Sequence, residues 1–343
     1  MAGPYFVDVT TGNDGDSGLT EELAFATLGF AANTVAAGEK VWVKASASYT
    51  ADDPDTATTN WEITTAGGSA TPIIWEGYYA TPGDGGIVTV DAQDTNTNAM
   101  SQSGLTNIYN AFKNFRFTQA DGIGVAFGAG DRVTFVNCRF DNNAGTGMQG
   151  DNYINFFGCM FDNNTSYGVD VDNSGGLVAC IMHTNGNYGA FVASSSLCGC
   201  ILYENTTGQM NISQMASGGL AVGNTVDGNN AGIGILYPTA GICAQFCNNI
   251  IFDNATGIEA AAGGYEEMVI MDFNFFNSNP TNRTNVPTGS NDVVGTGDPF
   301  VDSSNNNYNL IPMSEAKCAG VDARRTTKYW DSYIAGHNPP VVP

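Results

Sequence analysis

Two carboxylates and an imidazole recur at a fixed step of this sequence. Asp141, Asp162 and His183 close the runs Cys138-Arg139-Phe140-Asp141, Cys159-Met160-Phe161-Asp162 and Cys180-Ile181-Met182-His183, and the next copy, Cys200-Ile201-Leu202, ends in Tyr203. The cysteines are 21, 21 and 20 residues apart. If each copy is a strand lying on the one before, Asp141 and Asp162 sit roughly 5 Å apart, the spacing of neighbouring strands. Carboxylates so paired can act as acid and nucleophile or base on a glycosidic bond. His183 beside Asp162 can form a proton-transfer pair. These three are the candidate catalytic residues if the chain is an enzyme. The competing reading is that Asp opens turns well and is repeated for that reason. The separating test is loss of activity in D162N but not in D227N.

Other groups carry weaker signals. Asp151, Asp170 and Asp172 are a calcium candidate, since hard cations take several carboxylates; no other cofactor is suggested. Glu259, Glu266 and Glu267 form a second acidic patch, most simply solvated. Tyr167 and Tyr188 share one phase, 21 residues apart, and are candidates for stacking on a sugar. Arg116 and Arg139 also share a phase, with no carboxylate beside them in it. Cys198-Gly199-Cys200 and the Cys243/Cys247 pair lack the further ligands of a zinc site.

The elements that must position these groups follow from the repeat. Two further copies have Asn for Cys, at Asn224 and Asn249, with steps of 24 and 25. A period of this size signals a solenoid, in which each unit needs its neighbours to complete a core. Each unit holds three short strands and three turns, which fits a triangular parallel coil. Cys138 and Phe140, two residues apart, both point inward by the period of a strand. Arg139, Met160, Ile181 and Ile201 then face outward as a partly apolar stripe, suited to a subunit interface or a covering loop. The cysteines read as a column of buried free thiols. Asn143, Asn164, Asn185, Asn205 and Asn254 read as a ladder at a turn that asks for left-handed backbone.

The 343 residues carry 34 Asp and Glu against 11 Lys and Arg, for a net charge of −23. That balance disfavours nucleic acid and anionic membrane. No apolar run approaches a membrane span, so no membrane insertion is expected. The start, Met1-Ala2-Gly3-Pro4, has no visible signal peptide.

The first 50 residues read as a capping module. Tyr5 to Val9 is a strand, Gly12 to Gly18 a polar loop, Leu23 to Ala37 a small amphipathic helix stopped by Gly38, and Val41-Trp42-Val43 a second strand. The runs Gly3-Pro4-Tyr5-Phe6-Val7-Asp8, Gly12-Asn13-Asp14-Gly15, Phe25-Ala26-Thr27-Leu28 and Val41-Trp42-Val43-Lys44-Ala45 resemble the N-terminal cap of the right-handed parallel β-helix (pectate-lyase-like) superfamily. The usual Gly-x-Tyr turn is represented by Ser48-Tyr49, without the Gly. Gly297-Asp298-Pro299-Phe300-Val301-Asp302 and Tyr308-Asn309-Leu310 resemble its closing coils. The fold expected is therefore all-β, a right-handed parallel β-helix solenoid with an N-terminal capping strand and short helix. Residues 1–50 form the cap and first coil, 51–322 the β-helix and 323–343 a tail or arm. Asp91 to Ser103 and Asn277 to Asn291 are read as loops.

The resemblance implies fold more than function, because the superfamily holds lyases, hydrolases, epimerases, adhesins and phage tail proteins. The leading expectation is a non-enzymatic structural or attachment protein, a phage virion component of tail, fibre or capsid-decoration type. It would be located in the virion or outside the cell, with other virion or surface proteins, a glycan or copies of itself (a trimer among the options) as partners. One alternative is a polysaccharide-degrading glycoside hydrolase or lyase. A bacterial surface adhesin is the other.

Overall fold

The computed structural model describes residues 4–45, 49–50, 61–102, 104–105, 107–128, 132–173, 175–193, 195–213, 219–230, 232–238, 244–260, 269–312 and 314–316. The proposed tail at 323–343, Ser48, Cys243, Glu266 and Glu267 lie outside them.

Chain segments wind into three parallel sheets, here A, B and C, which together enclose one core. In one coil Thr134–Val136 belongs to sheet A, Arg139–Asp141 to sheet B and Met148–Asn152 to sheet C, and Asn155–Phe157 then returns to sheet A one level on. Among the described residues sheets A and B have 11 strands each and sheet C has 10. Register is kept from coil to coil. Arg139, Phe140 and Asp141 pair with Met160, Phe161 and Asp162, and these with Ile181, Met182 and His183. Equal coil length makes equivalent side chains touch. The rings of Phe117, Phe140 and Phe161 stack in sequence, the last two with centroids 4.8 Å apart, and Phe112, Phe135 and Phe156 do the same from sheet A. Stacked rings of this kind bury large apolar area in favourable geometry.

The cysteine column is present. Cys138, Cys159, Cys180 and Cys200 are buried free thiols in successive coils. Each Sγ lies within hydrogen-bonding distance of a backbone carbonyl: Phe112 for Cys138, Phe135 for Cys159, Phe156 for Cys180 and Leu177 for Cys200. Burial holds the thiols of Cys159, Cys180 and Cys200 well above the usual cysteine pKa. Where the coils lengthen, asparagine takes over the column. Asn224 Oδ1 accepts from Cys200 N, and Asn224, Asn249 and Asn274 pass amide hydrogen bonds along to Asp292, which Arg283 neutralises.

The second ladder runs at the turn between sheets B and C. Asn143 Nδ2 donates to Asn164 Oδ1 at 2.8 Å, Asn164 to Asn185 at 3.0 Å and Asn185 to Asn205 at 2.8 Å, all buried. The expected reason for asparagine here needs one correction. The left-handed residue is the one before the ladder: Asn142, Asn163, Thr184 and Glu204 have φ of 55°, 56°, 55° and 54°. The ladder asparagines are chosen for their amides. Glycine makes room for them. A Cβ on Gly147 would stand 2.6 Å from Gly168 O and 2.7 Å from Asn164 Nδ2.

At the N-terminus Tyr5–Val7 pairs in parallel with Lys40–Lys44 and opens sheet A. The expected helix over 23–37 is shorter and split. A 3-10 turn spans Glu21–Leu23, and helix α1 spans Leu28–Thr34. Phe25 is held in a β-bridge with Val7, which forbids helix there, and Thr27 Oγ1 accepts from Phe30 N to start α1. The helix ends at Thr34, before Gly38. Leu28, Ala31 and Ala32 bury against the open end of the core, where Thr65 Oγ1 donates to Ala32 O.

Three further expectations are corrected. Within 91–103, Asn98–Gln102 is a strand of sheet C, because Ala99 and Met100 are buried beneath an otherwise polar run. Within 277–291, Thr281–Thr284 is the last strand of sheet C. The expected closing coil at 297–310 is an antiparallel hairpin of Phe300–Asp302 and Asn307–Leu310, turned by Asn306 at φ 59°. It folds back over the outer face of sheet B, where Phe300 packs edge-on against Phe252 with centroids 5.6 Å apart.

Candidate functional site

The outer face of sheet B carries two rows of side chains, because outward residues recur every second position of a strand. One row runs Arg116, Arg139, Met160, Ile181, Ile201. The other runs Asp141, Asp162, His183, Tyr203, Asp227, Phe252. The candidate trio therefore does lie in one file.

Its first two members are occupied. Arg116 Nε and Nη2 donate to Asp141 Oδ1 and Oδ2 at 2.8 and 2.6 Å, and Arg139 donates to Asp162 in the same two-pronged way at 2.9 and 2.7 Å. Each arginine reaches diagonally to the aspartate of the next coil. Looking only along the arginine row hides this pairing. Both aspartates are fully buried, and the bonded aspartate raises the pKa of each guanidinium. Asn142 and Asn163 add a donor each. A carboxylate held by a bidentate guanidinium is engaged on both oxygens in a fixed geometry. His183 stacks face to face on Tyr203, with centroids 4.7 Å apart and planes at 4°. Burial lowers its pKa against the pull of Asp162 and Glu204.

Further along the file the face becomes a pocket. The closing hairpin roofs it, and its volume is about 190 Å³. Asp227 lies at its base, with Tyr308 and Phe252 as aromatic walls and Glu204 and Asp253 at the rim. Tyr308 OH donates to Asp227 Oδ2 at 3.1 Å, and Asn229 N donates to Asp227 Oδ1 at 2.9 Å. Tyr308 packs on Tyr203 at 5.3 Å and on Phe300 at 5.1 Å. Burial pushes the Asp227 carboxyl up to about 6, and the charges of Asp253 and Asp298 add to it, while the two hydrogen bonds oppose. Asp253 is raised as well, chiefly by burial. Burial also pushes the Tyr203 phenol to about 12 and that of Tyr308 well above its ordinary value. A buried carboxyl shifted by desolvation and by neighbouring charges inside a cleft is a functional-site candidate.

Glu204 and Asp253 hold the same left-handed turn position in the coils before and after that of Asp227, with φ of 54° each. Each follows the residue that pairs with Asp227 in the neighbouring coil, Tyr203 and Phe252 respectively. A sequence signal for this site exists. Asp227 shares the phase of Asp141 and Asp162, and Tyr308 is an isolated aromatic in a polar run. What joins them is an 81-residue contact that periodicity does not carry.

The remaining candidates sit elsewhere. Asp151, Asp170 and Asp172 lie on the outer face of sheet C, where Gln149 Nε2 donates to Asp170 at 3.1 Å. Burial, with Asp172 and Asp151 adding charge, pushes Asp170 up to about 6. Among the described residues no group of three or more His, Cys, Asp and Glu is arranged to hold a metal ion. Tyr167 and Tyr188 do stack, with centroids 6.5 Å apart and planes at 10°, but Tyr188 is buried and Phe191 covers Tyr167 at 5.0 Å. Among the described residues no helix is long and apolar enough to cross a membrane.

A family model described as "Right handed beta helix region" matches residues 74–207. No curated protein matches the sequence. Among solved structures, pectate lyase Pel9A superposes with a TM-score of 0.58 at 15% identity, covering 91% of this chain and 90% of that one. The GH136 lacto-N-biosidase from Eubacterium ramulus does so with a TM-score of 0.53 at 10% identity, covering 85% and 68%. XylC, in complex with xylose, gives 0.53 at 10% identity, covering 86% of each chain. At these identities the likeness is one of fold. It corrects the leading expectation of a non-enzymatic virion component: among the proteins that share the architecture over most of its length are a lyase, a biosidase and XylC, solved with xylose. The chain has the right-handed parallel β-helix fold of the pectate-lyase type.

Proposed function

We propose that this protein is a carbohydrate-active enzyme, that its glycan lies along the outer face of sheet B, and that Asp227 is the proton donor. One observation carries the reading: a buried carboxyl, raised to about 6, at the base of a cleft walled by Tyr308 and Phe252. An acid works best with a pKa near the working pH, and aromatic walls suit the apolar faces of sugar rings. The Arg116–Asp141 and Arg139–Asp162 pairs serve as a rigid, charge-neutral floor beside the cleft. His183 and Tyr203 continue that floor towards the pocket as one stacked surface. The similarity to carbohydrate-active proteins supports the same class.

The test is an assay of a panel of polysaccharides for new reducing ends and for unsaturated ends, with wild type, D227N and D162N. The expected result is activity lost in D227N and kept in a folded D162N. Activity that survives in D227N overturns the assignment.

A further inference from the structure

The lining of the pocket has one sign of charge. Glu204, Asp227 and Asp253 face it, Asp298 lies close enough to act on two of them, and among the described residues no Lys, Arg or His lines it. The other polar lining groups are neutral: Asn229, Ser303, Ser304 and Asn306, with the Tyr308 hydroxyl. Such a set accepts and donates hydrogen bonds to hydroxyl groups. It gives a carboxylate ligand nothing to pair with, and burying like charges together is strongly unfavourable. The volume, about 190 Å³, is below the roughly 300–1,000 Å³ of sites for drug-sized molecules, so it suits a single sugar unit.

We propose that the Asp227 pocket is a subsite for one sugar unit without a carboxylate, and that it turns uronate units away. This rests on the enzymatic reading above and narrows it. It also favours one reaction class. β-Elimination removes the proton next to a uronate carboxylate and must stabilise the charge that develops, and among the described residues the lining offers no Lys, Arg or His as base or cationic partner. Hydrolysis suits the lining. Asp227 gives its proton to the glycosidic oxygen as the bond from that oxygen to the anomeric carbon breaks. The oxygen of a water molecule bonds to that carbon and the water's proton passes to Glu204 or Asp253, which releases it to solvent as Asp227 takes one up, so protons and charge balance over the cycle.

The experiment uses the full chain and a matched pair of ligands, oligogalacturonate and the same oligomer with its carboxyls reduced to alcohols, together with neutral xylan, galactan and glucan oligomers. Binding is measured by calorimetry on D227N, and turnover on wild type by reducing ends and unsaturated ends. Carboxylate-free oligomers are expected to bind about a hundredfold more tightly than uronates. The double variant E204Q/D253N is expected to narrow that gap about tenfold, a readout that does not need catalysis. Equal binding of the reduced and unreduced oligomers, or unsaturated ends from any uronate polymer, overturns the proposal while leaving an enzyme. Selective binding of neutral oligomers without cleavage of any of them keeps the subsite and removes the enzymatic reading. Binding of none removes both.

Discussion

Tyr308 in the closing hairpin donates its hydroxyl proton to Asp227 in sheet B at 3.1 Å, across 81 residues of chain. The bond stabilises the ionised carboxylate, whereas burial and the neighbouring acids favour the neutral one, and burial wins. Asp227 is therefore poised between its two forms near pH 6. D227N should lower kcat by about 10²–10⁴-fold, the usual contribution of a positioned acid, with little change in KM. Steady-state kinetics on the best substrate of the panel checks this.

The same balance sets the pH profile. An acid must be protonated, so the rate should fall as pH rises through about 6. Y308F removes a donor to the charged form, and the falling limb should move to higher pH. D298N removes a negative charge that acts on Asp227, and the limb should move to lower pH. Shifts in one direction for both variants would show that a different group titrates.

Stability should carry the same signature. The Asp227 carboxyl is raised to about 6 in the folded state, against an ordinary value of 3.8, so the folded state binds more protons than the unfolded state between these values. Its contribution is full below about pH 4 and is lost as pH rises through about 6. D227N has no such loss. Relative to wild type it should be stabilised at pH 8 by on the order of 2 kcal/mol and unchanged at pH 4. Urea denaturation of both proteins at the two pH values measures the difference directly.

The Arg–Asp diagonal makes an unequal pair of predictions. Arg139 is the only guanidinium recorded on Asp162 among the described residues, and it also reaches Asp141 at 3.5 Å. R139A strands a buried charge and should cost about 3 kcal/mol. R116A leaves Asp141 with the more distant Arg139 and Asn142, and should cost about 1–2 kcal/mol. The double variant R139M/D162L removes both charges and should recover most of the loss. A double-mutant cycle in urea tests all three.

Much of the fold was legible because a solenoid writes its geometry into the period. The step from Cys138 to Cys159 to Cys180 gave the stacking, and the two-residue offset to Phe140 gave the inward phase. The strands at Asn98–Gln102 and Thr281–Thr284 were hidden by polar composition: the first buries only Ala99 and Met100, and the second, at the end of sheet C, buries no residue. The site was only half legible. The file containing Asp141, Asp162 and His183 was found, but charge pairing runs along a diagonal between rows, and a search within one row could not see that Arg116 and Arg139 had taken both aspartates. The pocket depends on the hairpin at 300–310 folding back on Tyr203 and Asp227. No periodicity encodes a contact between a repeat and the segment that ends it.

The asparagine ladder separates amide chemistry from turn chemistry in adjacent residues. Asn164 accepts from Asn143 N and Nδ2 and donates to Phe140 O and Asn185 Oδ1, all in the dry interior. N164A leaves these partners unmet and should destabilise by about 4 kcal/mol. Asn163, one residue earlier, is exposed with φ 56° and, beyond one hydrogen bond to the already paired Asp162, supplies conformation. N163G should be neutral within about 1 kcal/mol, and N163A should cost about that much because its Cβ disfavours the left-handed region. If the two positions responded alike in urea denaturation, the ladder would be an ornament of the turn. A large loss confined to residue 164 would make it the column on which successive coils are hung.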